Sequence, residues 1–133
     1  FTVVRNPWSR AVSSWQWNMR EKGLAPCSFE EFLRMPLAGM TEQQRFHTLP
    51  QGPHVADEHG AVGYLSHIGR LENLGATRDW LADTLGLPRG DALPHLKRSG
   101  SDDYQQHYTP ATRALVAATF RRDFELFGYP VEF

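Results

Sequence analysis

The sequence has almost no cysteine, no long apolar run and no excess of one charge. A single thiol, Cys27, excludes an internal disulfide framework and most cysteine-based metal sites. No stretch approaches the roughly 20 consecutive apolar residues of a membrane-spanning helix, and no signal peptide is visible. The formal net charge is −1 with histidine neutral, so no global field draws the chain to nucleic acid or an anionic membrane. Any anion it recognises must be held locally. A G-x-x-x-x-G-K-[ST] phosphate loop is missing as well, which argues against a kinase-like or nucleotide-hydrolysing P-loop domain. There is no internal repeat and no low-complexity tract.

What is present suits one packed domain over residues 1–133. Apolar residues make up 41% of the chain, with four Trp and eight Phe, enough for a core and unlike a disordered chain. Phe1 to Val4 reads as a short strand apolar on both faces, as in a covered parallel sheet. Asn6 then offers a helix cap, with Pro7 at the first helical position where a missing N–H costs nothing. Trp8, Val12, Trp15 and Met19 recur at helical spacing, and Gly23 offers a stop. Ser28 with Glu31 forms a capping box for a short helix over Phe29 to Met35.

Residues 36–63, rich in proline and glycine, read as a long loop, and Val62 to Gly69 as a second strand. A helix with Leu71, Leu74, Leu81 and Leu85 on one face follows, with Gly86 near its end. Thr109-Pro110 opens a last helix over 110–127, with Leu115, Val116, Ala118, Thr119, Phe120, Phe124 and Phe127 as its apolar positions and Gly128 as its stop. Alternating strands and helices indicate α/β layering.

Arg5 falls where a strand gives way to a helix start, the edge at which open α/β sheets hold ligands. Ser9 and Ser13 follow at steps of four and share one helix face. A guanidinium fork from Arg5 and a hydroxyl from Ser13 would suit phosphate oxygens, helped by the positive end of the helix. The alternative is that Arg5 pairs with an acidic side chain and the serines are merely exposed.

The run VRNPWSRAVSSW resembles the 3′-phosphate-binding motif of sulfotransferases that use 3′-phosphoadenosine-5′-phosphosulfate (PAPS), V-R-[DN]-P-x-x-R-x-x-S-x-[WYF]. Arg5, Asn6, Pro7, Arg10, Ser13 and Trp15 match it. Further on, HIGRLENL (67–74) is similar to the GR-x-EN segment of the carbohydrate-type, Golgi-related branch and its bacterial relatives. LPHLKRS (93–99) resembles their LPHLN-x-S loop, with Lys97 departing from the pattern. The closing segment with Asp123, Phe127, Gly128 and Tyr129 resembles their D-x-x-x-FGY end. Gln51 resembles their Pro-Gln element.

The resemblance implies a P-loop-like α/β sulfotransferase fold, present in part. It implies that Arg5 and Ser13 bind the 3′-phosphate of PAPS. Arg98 and Ser99 either close over the nucleotide or form a solvated basic turn. Arg70, Glu72 and Asn73 are expected to lock strand to helix, and Asp123 and Tyr129 to pack and cap. The family's Lys-bearing phosphosulfate loop and its catalytic His or Glu precede the Arg-Ser motif. Residues 1–133 are therefore expected to be a C-terminal portion, inactive alone, with the catalytic residue outside it.

The expected reaction transfers a sulfuryl group to a hydroxyl, on a carbohydrate, with PAPS as co-substrate and no metal. His54, Asp57, Glu58 and His59 cluster, but their spacing fits no tight zinc motif. The compartment is either cytoplasmic, for a bacterial enzyme, or lumenal behind a membrane anchor. One rival is an inactive fragment that only binds nucleotide. Another is an interaction module displaying Trp8, Trp15 and Trp17, for which burial of Trp8 and Trp15 would count against it.

Overall fold

A computed structural model describes residues 1–90 and 101–133 of the chain. The expectations for Arg98 and Ser99 lie outside the described residues. Two short parallel strands, β1 (Thr2–Val4) and β2 (Ile68–Arg70), pair in the register Thr2 with Ile68, Val3 with Gly69 and Val4 with Arg70. The β-branched run of β1 favours this extended backbone. Around the sheet lie α1 (Pro7–Glu21), α2 (Phe29–Arg34), α3 (Glu42–Thr48), α4 (Gly52–Val55), α5 (Leu74–Leu85), α6 (Pro110–Thr119) and α7 (Arg121–Phe127). The result is a mixed helix and strand fold with a small parallel sheet, compatible with the α/β class.

The helix starts follow their side chains. The Asn6 carboxamide accepts from the Trp8 amide, and reciprocal capping boxes close Ser28 with Glu31 and Thr109 with Thr112. Gly86 and Gly128 end α5 and α7 in left-handed conformation, at φ of 65° and 63°.

The core gathers Val4, Trp8, Val12, Phe29, Val116, Phe120, Phe124, Phe127 and Tyr129. Trp8, only 2% exposed, sits 5.0 Å from the Phe124 ring and 4.9 Å from the Phe133 ring, and its indole N–H donates to the Pro130 carbonyl. Trp15 is half-buried against Phe29 and donates to the Cys27 carbonyl. These placements turn the tryptophan stripe into core and count against an exposed docking face.

Four sequence expectations change. Residues 36–63 contain α3, opened by a Thr41–Gln44 capping box, and the one-turn α4, so the proline- and glycine-rich stretch is not a plain loop. The second strand is confined to Ile68–Arg70, the length that β1 can pair with. The expected leucine face is covered only in its middle: Thr77 and Ala82 are buried and Leu74 and Leu81 half-buried, while Leu85 at the end of α5 and Leu71, which precedes the helix, are exposed.

The last helix is broken at Phe120, whose ψ is 16°. Its core residues Val116, Phe120, Phe124 and Phe127 advance mostly by fours, and each such step drifts about 40° around a straight helix. The break returns Phe124 and Phe127 to the core, while Ala118 and Thr119 remain exposed.

Gly69 explains how α5 seats on the sheet. A Cβ at this position would run into the Thr77 side chain, so only glycine lets the helix approach β2 this closely. An apolar cavity of about 330 Å³ lies beside β1 and α5, lined by Phe1, Val3, Leu74, Leu81, Ala82 and Leu87 among others, and the Arg5 turn takes no part in it.

Candidate functional site

The turn between β1 and α1 consists of Arg5 and Asn6. Its backbone lies past the end of the strand ladder and before the first helical bond, in which Arg10 N–H donates to the Asn6 carbonyl. Three polar groups there need partners from elsewhere. The Gln51 carboxamide supplies two: its oxygen accepts from the Arg5 amide and its nitrogen donates to the Arg5 carbonyl, both at 2.8 Å. The Glu72 carboxylate supplies the third, accepting from the Asn6 amide at 2.8 Å.

Both clamps are themselves fixed by the end of the chain. The Asp123 carboxylate, fully buried, accepts from the Gln51 and Gly52 amides at 2.7 Å each. The Tyr129 hydroxyl donates to Glu72 at 2.9 Å. Burial and that bond to Glu72 push the Tyr129 phenol well above its ordinary value. Arg70 donates to the Phe127 and Gly128 carbonyls and lies over the Tyr129 ring at 4.6 Å. Asn73 caps α5 through the Ala76 amide. The expected polar lock is thus present, and it reaches the Arg5 turn.

The side chain of Arg5 runs back along α1, and its Nε donates to the buried Ser9 hydroxyl at 3.0 Å. Ser9 in turn donates to the Asn6 carbonyl. Ser9 is therefore the hydroxyl that orients Arg5, and the signal for it was the spacing of four from Arg5. Ser13 lies one turn further on the same face, half-buried.

No acidic residue occupies the first turn of α1, so the helix leaves its positive end without a carboxylate of its own. Asn6 and Trp8 spend their amides within the protein and Pro7 has none. An anion here would accordingly be held by side chains more than by backbone N–H groups.

Arg10 serves a different end. Its guanidinium donates to the Phe46 and Leu49 carbonyls at the C-terminus of α3. Burial lowers its pKa first, Asp123 opposes that, and the charge of Arg5 adds to the lowering; a guanidinium nevertheless stays protonated in water-accessible pH ranges. Two cationic groups thus sit close enough to feel one another beside the turn. Among the histidines of the former loop, exposed His54 lies 4.7 Å from the Phe46 ring, and exposed His59 lies 3.6 Å from Glu58. Among the described residues no group of three or more His, Cys, Asp or Glu is placed to hold a metal ion, and no helix is long and apolar enough to cross a membrane.

A family model described as "Sulfotransferase family" matches residues 1–130. The chain belongs to the sulfotransferase family. No curated protein and no solved structure matches it. For a sulfotransferase, the match runs from the Arg5 turn to the α7 end that braces it, so both halves of the arrangement fall inside the family's extent.

Proposed function

We propose that this sulfotransferase uses PAPS and transfers its sulfuryl group to a hydroxyl on a carbohydrate acceptor. In this reading Arg5 and Ser13 hold the 3′-phosphate of the nucleotide, with Ser9 orienting the Arg5 side chain. Arg98 and Ser99 close over the nucleotide from the C-terminal loop. The transfer forms a bond from the acceptor oxygen to sulfur and breaks the bond to the 5′-phosphate, releasing adenosine 3′,5′-bisphosphate. In this reading residues 1–133 supply the grip on the nucleotide, and none of them is assigned as the base that takes the acceptor proton.

The observation that carries this reading is the fixed turn itself. Arg5 emerges from a backbone whose N–H and C=O are both held by Gln51, with Ser9 steering its guanidinium. A forked cation so placed suits bidentate contact to phosphate oxygens.

The test compares binding of adenosine 3′,5′-bisphosphate with adenosine 5′-phosphate by calorimetry, in the protein and in Arg5→Ala. A charge-assisted contact is worth roughly 1.5–3 kcal/mol, so the variant should lose affinity for the bisphosphate by about 10- to 150-fold and little for the monophosphate. An equal loss for both, or no loss, would remove the 3′-phosphate role from Arg5.

A further inference from the structure

We infer that Gln51 and Asp123 are positioning residues for Arg5, so that α7 sets the geometry of the phosphate grip through Gln51. The inference rests on the proposed role of Arg5 in holding the 3′-phosphate.

A primary carboxamide carries a donor and an acceptor in one plane, spaced much like the N–H and C=O of a peptide. Gln51 uses both on the N–H and C=O of a single residue, Arg5. The side chain therefore does what a neighbouring strand would do, one residue beyond the point where β2 stops pairing. A carboxylate only accepts and a cation only donates, so neither can make that pair of bonds.

The amide must itself be held still to work as a template. Asp123 does this through two charge-assisted bonds to successive backbone amides, Gln51 and Gly52, in a site closed to solvent. Gly52 leaves little slack, since a Cβ there would stand 3.2 Å from the Asp123 carboxylate and 3.2 Å from Leu126. The path from helix to guanidinium is thus short: Asp123 to the Gln51 backbone, the Gln51 side chain to the Arg5 backbone, Arg5 to Ser9.

A guanidinium fork is sensitive to such placement, because displacement of about 1 Å at a reacting or binding centre can cost 100-fold. Gln51→Glu keeps an acceptor for the Arg5 amide but turns an oxygen toward the Arg5 carbonyl. Gln51→Met keeps the length and loses both bonds. Asp123→Asn loses one of the two acceptors.

The experiment measures dissociation constants for adenosine 3′,5′-bisphosphate and adenosine 5′-phosphate in the protein, these three variants, Arg5→Ala and Arg5→Ala/Gln51→Glu. The ratio of the two constants reports the 3′-phosphate alone, and general loosening of the fold would weaken both ligands together. Gln51→Glu and Gln51→Met should each cut the ratio by about tenfold, with Asp123→Asn in the same direction. The double variant should match Arg5→Ala, since Gln51 acts through Arg5.

A ratio that stays at the original value in folded Gln51 variants, while Arg5→Ala loses it, overturns the positioning role and leaves the role of Arg5 intact. A protein with no preference for the bisphosphate before any substitution overturns the Arg5 reading and this inference with it. Circular dichroism identifies variants that do not fold, and either Gln51 variant suffices alone.

Discussion

The Arg10 guanidinium donates to the Leu49 carbonyl at 3.0 Å, tying the first helix to the end of the third. The same group reaches the Phe46 carbonyl, so it satisfies two of the acceptors that a helix C-terminus leaves open. Its Nε is buried with no hydrogen-bond partner among the described residues. Arg10→Ala should lower stability by about 1.5–3 kcal/mol, as expected for charge-assisted bonds lost from a largely buried site. Arg10→Lys should recover less than half, because an ammonium cannot span two carbonyls as a fork does. Urea unfolding midpoints check both.

Gly69 and Thr77 give a second test. Gly69→Ala forces a methyl group into the Thr77 side chain and should cost about 1–3 kcal/mol through overpacking. Thr77→Ala removes the nearest obstructing atoms, so the pair of substitutions should be more stable than Gly69→Ala alone. Equal stability of the single and double variants would show that α5 shifts freely on the sheet.

Trp8 is the residue whose loss should hurt most. It is in contact with three rings and bonds the Pro130 carbonyl, so Trp8→Ala should cost about 3–5 kcal/mol. Trp8→Phe keeps part of the ring packing and should cost less. Thermal unfolding followed by circular dichroism ranks them.

His47 supplies a pH dependence. Burial first, then the charges of Arg10 and Lys22, lower its pKa from the ordinary 6.5; the Trp17 and Phe46 rings complete its surroundings. The unfolded chain then binds a proton at a pH where the folded one does not. Stability is fully present above the unfolded value and declines as the pH falls toward the folded value. His47→Gln should flatten that decline, seen as a smaller change in urea midpoint between about pH 5 and pH 7.5. An unchanged slope would assign the decline to other groups.

The sequence made most local features of the fold readable and few of the distant ones. Asn6, Ser28 and Thr109 announced helix starts because a cap is decided within three residues. Thr41 with Gln44 is the same signature, but Pro36, Gly39 and Pro50 around it made the stretch look like loop. The break at Phe120 carries no proline or glycine, and only the drift of a spacing of four betrays it.

At the site, Arg5 was visible from its place between strand and helix. Its clamps were not, since Gln51 and Glu72 lie 46 and 66 residues from the groups they hold. Resemblance drew attention to Gln51, Glu72, Asp123 and Tyr129, and geometry supplies the physical reason those types belong there. Each carries the donor or acceptor that a neighbouring backbone or side-chain group lacks.

The clamp also has a consequence for how the protein is made. The bond from Trp8 to Pro130 spans 122 residues, and those fixing Gln51 and Gly52 to Asp123 span 72 and 71. On a ribosome the Arg5 turn emerges well before α7, yet its clamps stay incomplete until α7 has been synthesised and has docked. Contacts of such long range form late and slowly, so the nascent chain is unable to fix this turn until its closing segment arrives. A chain prematurely terminated before Asp123 would keep Arg5 and Gln51 and lack the carboxylate that holds Gln51 in place.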